Sequence, residues 1–220
     1  MLLYYITDRT RFAGSESERR RALLHKVAEA SRAGVDYIQL REKDLMPHDL
    51  ERLATEAVRA VRENSNATKL LINGRTDVAL ACGADGVHLP AGELAAAEVR
   101  TLWMKCSNRE PLIGVSTHSV ADVRYAEAHG ANFAVLAPIF EKVQTNTPGI
   151  GINALRTACT GSRVSGNVEA PYRGGFAVLA LGGVNLSNAR ACMEAGAAGV
   201  AGIRLFQEGD VCDTVQRLRE

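Results

Sequence analysis

The chain has no CxxC pair, no excess of either charge and no apolar run long enough to cross a bilayer. Its five cysteines, Cys82, Cys106, Cys159, Cys192 and Cys212, are odd in number and scattered. That spacing argues against a disulfide framework and a zinc site, and it reads as reduced thiols in a cytoplasmic protein. The formal net charge of +1 removes the basic excess that a nucleic-acid partner or an anionic membrane surface would need. No apolar stretch reaches about 18 residues, and the N-terminus is not built like a signal peptide, so no membrane partner is expected.

What is present is a rhythm. Leu70 to Pro90, LLINGRTDVALACGADGVHLP, holds two short apolar strands joined by a helix within about 20 residues, a unit that requires parallel strands. The same unit recurs along the chain. Strands are expected at 2–7, 35–40, 70–72, 86–89, 112–115, 132–136, 176–181 and 199–203. Helices are expected at 15–32, 47–63, 75–81, 93–105, 120–129, 152–159, 186–195 and 210–219. Eight strands alternating with eight helices in 220 residues fit a single-domain (β/α)8 TIM barrel over 1–220 better than a doubly wound sheet. A repeated phrase marks the helix-to-strand turns: Ala33-Gly34-Val35-Asp36, Gly83-Ala84-Asp85-Gly86, Gly130-Ala131-Asn132 and Gly196-Ala197-Ala198-Gly199. These turns belong to the amino-terminal face, where they report on folding. The polar stretch 160–175 breaks the rhythm and reads as a flexible insertion on the face away from the site. The loop 137–151 lies on the site face, and the sequence leaves open whether it closes over ligand.

In such a barrel, ligands bind at the carboxyl ends of the strands. Those ends supply Thr7, Gln39, Arg41, Lys43, Asn73, His88, Ser116, His118 and Gly182-Gly183. The glycine pair, with Gly202 and Ile203 after the last strand, sits where barrels often hold a phosphate between the loops after strands seven and eight. Elsewhere a double glycine would be a plain tight turn. Gln39 and Arg41 share one side of a strand by alternation, and with Lys43 they suggest a second anion site. His118 is the candidate for proton transfer, because an imidazole can act as acid or base near neutrality. His88, Asn73 and Ser116 read as substrate-binding or orienting residues. His25, His48 and His129 read as surface residues. A magnesium site would need carboxylates at the mouth, and only Asp8, Glu42, Asp44, Glu93 and Glu141 are near it.

Five motifs occur in order: Tyr5-Ile6-Thr7-Asp8, Gln39-Leu40-Arg41-Glu42-Lys43, Gly83 to Leu89 (GADGVHL), Gly114 to Ser119 (GVSTHS) and Leu181-Gly182-Gly183. Together they resemble the thiamine phosphate synthase / TenI family over nearly the whole chain. The resemblance implies a (β/α)8 barrel acting on a thiazole phosphate in vitamin B1 biosynthesis. It also implies one of two chemistries. The synthase couples hydroxymethylpyrimidine pyrophosphate to a thiazole phosphate, with magnesium held by two aspartates. The TenI branch is a metal-free thiazole tautomerase that moves a proton to make a carboxylated thiazole phosphate aromatic.

The chain departs from the synthase pattern. Asn-Asp after strand three is Asn73-Gly74 here, and the carboxylate pattern after strand four is reduced to Glu93. The synthase Thr-Glu-Thr-Lys stretch is Phe140-Glu141-Lys142-Val143-Gln144-Thr145. Asn73-Gly74-Arg75, Leu89-Pro90-Ala91-Gly92 and Phe140-Glu141 look like the TenI branch, whereas Gln39 to Lys43 is the synthase wording. The leading expectation is therefore a TenI-like tautomerase without cofactor, with His118 catalytic. A divergent thiamine phosphate synthase, with magnesium and Glu93 as a ligand, is the first alternative. A non-catalytic thiazole- or thiamine-phosphate-binding protein is the second. An exposed apolar face on one outer helix would point to a homodimer.

Overall fold

The eight apolar runs all form strands. The computed structural model describes residues 1–141, 148–160 and 176–220. In it the strands are β1 (Leu2–Ile6), β2 (Tyr37–Leu40), β3 (Lys69–Asn73), β4 (Gly86–Leu89), β5 (Leu112–Thr117), β6 (Phe133–Leu136), β7 (Ala177–Ala180) and β8 (Gly199–Gly202). Each pairs in parallel with the next, and β8 pairs with β1, so the barrel closes. The returning helices are α1 (Glu16–Ala33), α2 (Pro47–Asn64), α3 (Thr76–Cys82), α4 (Ala96–Cys106), α5 (Val120–Ala128), α6 (Ile152–Thr160), α7 (Ala189–Glu194), α8 (Arg204–Gln207) and α9 (Val211–Arg219). This is the (β/α)8 barrel the alternation implies. Residues 142–147 and 161–175 lie outside the described residues. They include most of the expected insertion and the middle of the 137–151 loop.

The repeated turn explains how the strands are held in line. In three of its copies the polar side chain reaches back to the second amide of the preceding strand. Asp36 Oδ2 accepts from Leu3 N–H (2.7 Å), Asp85 Oδ2 from Leu70 N–H (2.9 Å) and Asn132 Oδ1 from Ile113 N–H (2.8 Å). Each would otherwise be an unpaired donor at a strand start, a costly position when it is shielded from water. The backbone N–H at the same position donates to the matching strand carbonyl in all four copies, and in the fourth, which carries Ala198, that bond to Val178 O (2.8 Å) stands without the side-chain one.

Alternation divides the core in two. Leu3, Tyr5, Ile38, Leu40, Ile72 and Val87 point outward into the layer covered by helices. Tyr4, Ile6, Tyr37, Leu71, Phe133, Val135 and Leu179 fill the barrel interior. Interior rings interlock, with Tyr4 edge-on to Phe133 at a centroid distance of 5.5 Å and Tyr37 stacked on it at 5.3 Å. The barrel is thus a packed core on which a site sits.

Three helices depart from the periodicity, and the first is α4, which begins at Ala96 rather than at 93. Leu186 suits a helix start, but α7 begins only at Ala189. Asn185 Oδ1 accepts from Ser187 N–H (2.8 Å), and Asn188 Oδ1 accepts from Asn185 N–H (2.8 Å), so side chains compete with the helix for those amides. α8 is a single turn, too short to show a period. On the outside, α4 exposes Leu102 and Met104 and α5 exposes Tyr125, the kind of face on which the homodimer expectation depends. Among the described residues no helix is long and apolar enough to cross a membrane.

Candidate active site

The carboxyl ends of the strands open into one cavity of about 1040 Å³. The side chains of Gln39, Arg41, Lys43, Asn73, His88, Ser116 and His118 line it, together with Gly182, Gly183, Gly202 and Ile203. These strand-end residues therefore share one space, whereas Thr7, named with them in the sequence, is buried beneath it. Arg204 and Arg217 also line it. Sequence reading did not flag them, because they lie on α8 and α9 rather than at a strand end.

Arg41 and Lys43 face the cavity because the acids next to them, Glu42 and Asp44, are turned away. Glu42 is buried. Its Oε1 accepts from Thr7 Oγ1 (2.6 Å), and its Oε2 accepts from Arg9 N–H (3.0 Å) and Arg9 Nη1 (3.1 Å). Arg9 also grips Asp44 with both terminal nitrogens (2.7 and 2.8 Å). Thr7 Oγ1 in turn accepts the Arg41 N–H (3.0 Å). So Thr7, a strand-end residue, serves as an internal pin. One buried guanidinium holds both neighbouring carboxylates. Among the described residues neither Arg41 nor Lys43 has a carboxylate within ion-pair reach, and the rim between β2 and α2 is left positive.

The Gly182-Gly183 turn, the candidate phosphate site, follows from backbone shape. Gly182 and Gly183 have φ of +93° and +66°, a left-handed pair that side chains adopt at a cost. Space forbids them too. A Cβ on Gly182 would lie 2.6 Å from Pro138 Cα, and one on Gly183 2.7 Å from Phe140 Cβ. The two carbonyls turn inward, accepting from Phe140 N–H (3.0 Å) and Asn188 Nδ2 (3.0 Å). Among the described residues the N–H groups of Gly183 and Val184 donate to no protein group. Free amides beside glycine are the usual receptor for a phosphate. Gly182→Ala should cost about 1–3 kcal/mol through strain and overpacking. It should also weaken binding of inorganic phosphate; urea unfolding and a titration check both.

The two histidines are held differently. His118 follows β5, and its Nδ1 sits 2.9 Å from the Ala137 carbonyl oxygen. A carbonyl only accepts, so Nδ1 carries the hydrogen and Nε2 of the neutral ring is an open base. His88 is buried between Tyr4 Oη, 3.1 Å from its Nδ1, and Ser116 Oγ, 2.9 Å from its Nε2. Burial, helped by the Arg41 charge, pushes its pKa down to about 3, so it is neutral at any ordinary pH. The linkage sign follows. Below about 6.5 the unfolded chain protonates this histidine and the folded chain does not, so stability falls as pH drops from about 6.5 toward 3. The slope approaches about 1.4 kcal/mol per pH unit from this group, and His88→Gln should remove it from a series of urea midpoints against pH.

Magnesium, which the synthase resemblance implies, finds no matching donor set. Glu42 and Asp44 are committed to Arg9, Glu208 to Arg11 (2.6 Å), and Asp8 Oδ1 to the Thr10 hydroxyl (2.6 Å). Gly74 brings no carboxylate. The exposed Glu93 lies beside it, with its Oε2 3.9 Å from where a Gly74 Cβ would be. Among the described residues no three His, Cys, Asp or Glu side chains gather as metal ligands would.

Comparison with known proteins gives the family. Residues 3–206 match the family model described as thiamine monophosphate synthase, TMP-TENI. A protein from Methanoculleus marisnigri named thiamine-phosphate synthase is 36% identical over 221 residues, covering 99% of this chain and 93% of the relative. Another of that name from Halalkalibacterium halodurans is 34% identical over 195 residues, covering 89% and 82%. The solved structure of a thiamine phosphate pyrophosphorylase from Pyrococcus furiosus superposes with a TM-score of 0.77 at 26% identity, covering 99% of this chain and 93% of that one. A barrel of this topology, matched by sequence along almost its whole length, belongs to the thiamine monophosphate synthase (TMP-TENI) family.

Proposed function

We propose that the protein is an enzyme of thiamine biosynthesis acting on a thiazole phosphate, and that its reaction is the tautomerisation of a carboxylated thiazole phosphate. The phosphate binds at the Gly182-Gly183 turn and the Gly202-Ile203 turn. Arg41 or Lys43 takes the carboxylate. Gln39 Nε2, a buried donor without a hydrogen bond, adds a further contact on the same wall. His118 Nε2 removes a proton from one carbon of the ligand, the electron pair enters the ring, and the proton returns at another carbon. The product is the aromatic isomer, and no atom is gained or lost.

The observation that carries this reading is a contrast within one cavity. The base is open and its tautomer is fixed, while Asp8, Glu42, Asp44 and Glu208 are bonded within the protein and Glu93 is left without a second carboxylate at Gly74. An isomerisation needs the base and not the carboxylates. Loss of pyrophosphate needs its developing charge neutralised.

The second reading is a divergent thiamine-phosphate synthase, favoured by the names of the relatives and by the Gln39 to Lys43 stretch. The two separate in one assay: thiamine phosphate formation from hydroxymethylpyrimidine pyrophosphate and thiazole phosphate, with and without magnesium. The tautomerase reading expects no product from folded protein. Robust magnesium-dependent product would overturn it.

A further inference from the structure

Beneath the cavity floor, Tyr4, His88 and Ser116 form one hydrogen-bonded chain, from a fully buried phenol to a hydroxyl on the cavity wall. Its direction can be worked out. The Tyr4 hydroxyl has no exposure, and burial holds it protonated well above the usual tyrosine range. The Gln39 amide beside it acts in the opposite direction as a donor, although it closes no hydrogen bond of normal geometry. The acceptor for the Tyr4 proton among the described residues is therefore His88 Nδ1. The neutral ring then carries its one hydrogen on Nε2 and gives it to Ser116 Oγ. The opposite order, Ser116 to His88 to Tyr4, would strand a buried phenol proton without an acceptor, a costly arrangement. With the chain running outward, the Ser116 O–H has no acceptor in the chain and is free for the ligand. Gly114 makes room for this arrangement: a Cβ there would fall 2.9 Å from His88 Nδ1.

Ser116 lies in β5 and His118 in the bend that follows it, and both line the one cavity, while Thr117 between them turns away to the Val135 carbonyl (3.1 Å).

We propose that Ser116 is a second catalytic residue, a fixed donor that stabilises the negative charge left on the ligand's ring and carboxylate when His118 removes its proton, and that His88 and Tyr4 are the positioning residues that aim it. The inference rests on the tautomerase reading. The Ser116 O–H bond does not break. The proton moves from ligand carbon to His118 Nε2 and back to a second ligand carbon, and the charge is greatest between those steps. Donors set in place beforehand are worth most there.

The test is the rate of carboxythiazole phosphate isomerisation by wild type, S116A, S116T, H88L, H88Q and the S116A/H88L double variant. S116A should lower kcat about 10²-fold, the usual effect of losing one such donor, with KM and inorganic phosphate affinity within about threefold. S116T, which keeps a hydroxyl, should recover most of the loss. H88L should approach S116A, H88Q should not, and the double variant should be no slower than S116A, since both changes remove one donor. S116A within about twofold of wild type, with wild type active, would overturn the role of Ser116 alone. Additive losses in the double variant would overturn the positioning role of His88. A wild type that does not isomerise the substrate would end the tautomerase reading, and the role of Ser116 with it.

Discussion

Replacing His118 by alanine lowers isomerisation of the carboxythiazole phosphate by about 10²–10⁴-fold, the range a positioned general acid or base contributes. Binding of a phosphate ligand stays near the wild-type value, because the glycine cradle lies on the loops after β7 and β8, whereas His118 follows β5. The reason for so large an effect is the hydrogen bond to the Ala137 carbonyl. It selects the tautomer with Nε2 free, so the base needs no rearrangement before it acts. The side chain is exposed enough that its removal leaves no buried cavity, and the folded state should not suffer. Steady-state rates and a phosphate-ligand titration on the same sample separate the two effects. Near-normal turnover in H118A would refute the assignment.

The largest loss of stability is expected at Arg9. Its side chain is 4% exposed and faces that of Glu42 at 1%. Arg9→Ala leaves the Glu42 carboxylate buried with only the Thr7 hydroxyl and one backbone amide, and breaking such a pair costs about 3–5 kcal/mol. Burial already pushes the Glu42 carboxyl up, against the pull of Thr7 and Arg9. Without Arg9 it rises further, so the ionised form carries the penalty and the protonated form does not. The deficit should therefore shrink as pH falls through the carboxylate range. Asp44, released from Arg9, would also compete for Arg41 and Lys43 and weaken carboxylate binding. Urea midpoints at pH 7 and pH 4 test the first point; a loss below about 1 kcal/mol at pH 7 would mean the pair is no more than a surface contact.

Much of this was legible in the sequence, and the gaps have physical causes. The strands showed as apolar runs because both faces of a parallel barrel strand are buried. Most of the residues that line the cavity at the strand ends showed because the fold places those ends together. Tyr4 did not show: a tyrosine within an apolar strand looks like core, and only the closed barrel brings its hydroxyl to His88, 84 residues away. Arg9 was equally silent, since its partners Glu42 and Asp44 lie 33 and 35 residues on and no local pattern links them. The Arg41 to Asp44 run suggested an anion site, yet its alternating charges gave no hint that the two acids were already taken. The start of α7 was misplaced for the opposite reason, because local Asn and Ser side chains outbid an apolar residue for the backbone.

The most direct test follows the non-aromatic carboxythiazole phosphate by proton NMR, with wild-type protein and a chelator present. The tautomerase assignment requires catalysed conversion to the aromatic isomer at a rate the chelator does not change. No conversion, together with magnesium-dependent synthesis of thiamine phosphate by the same preparation, would contradict it and return the cavity to the synthase reaction.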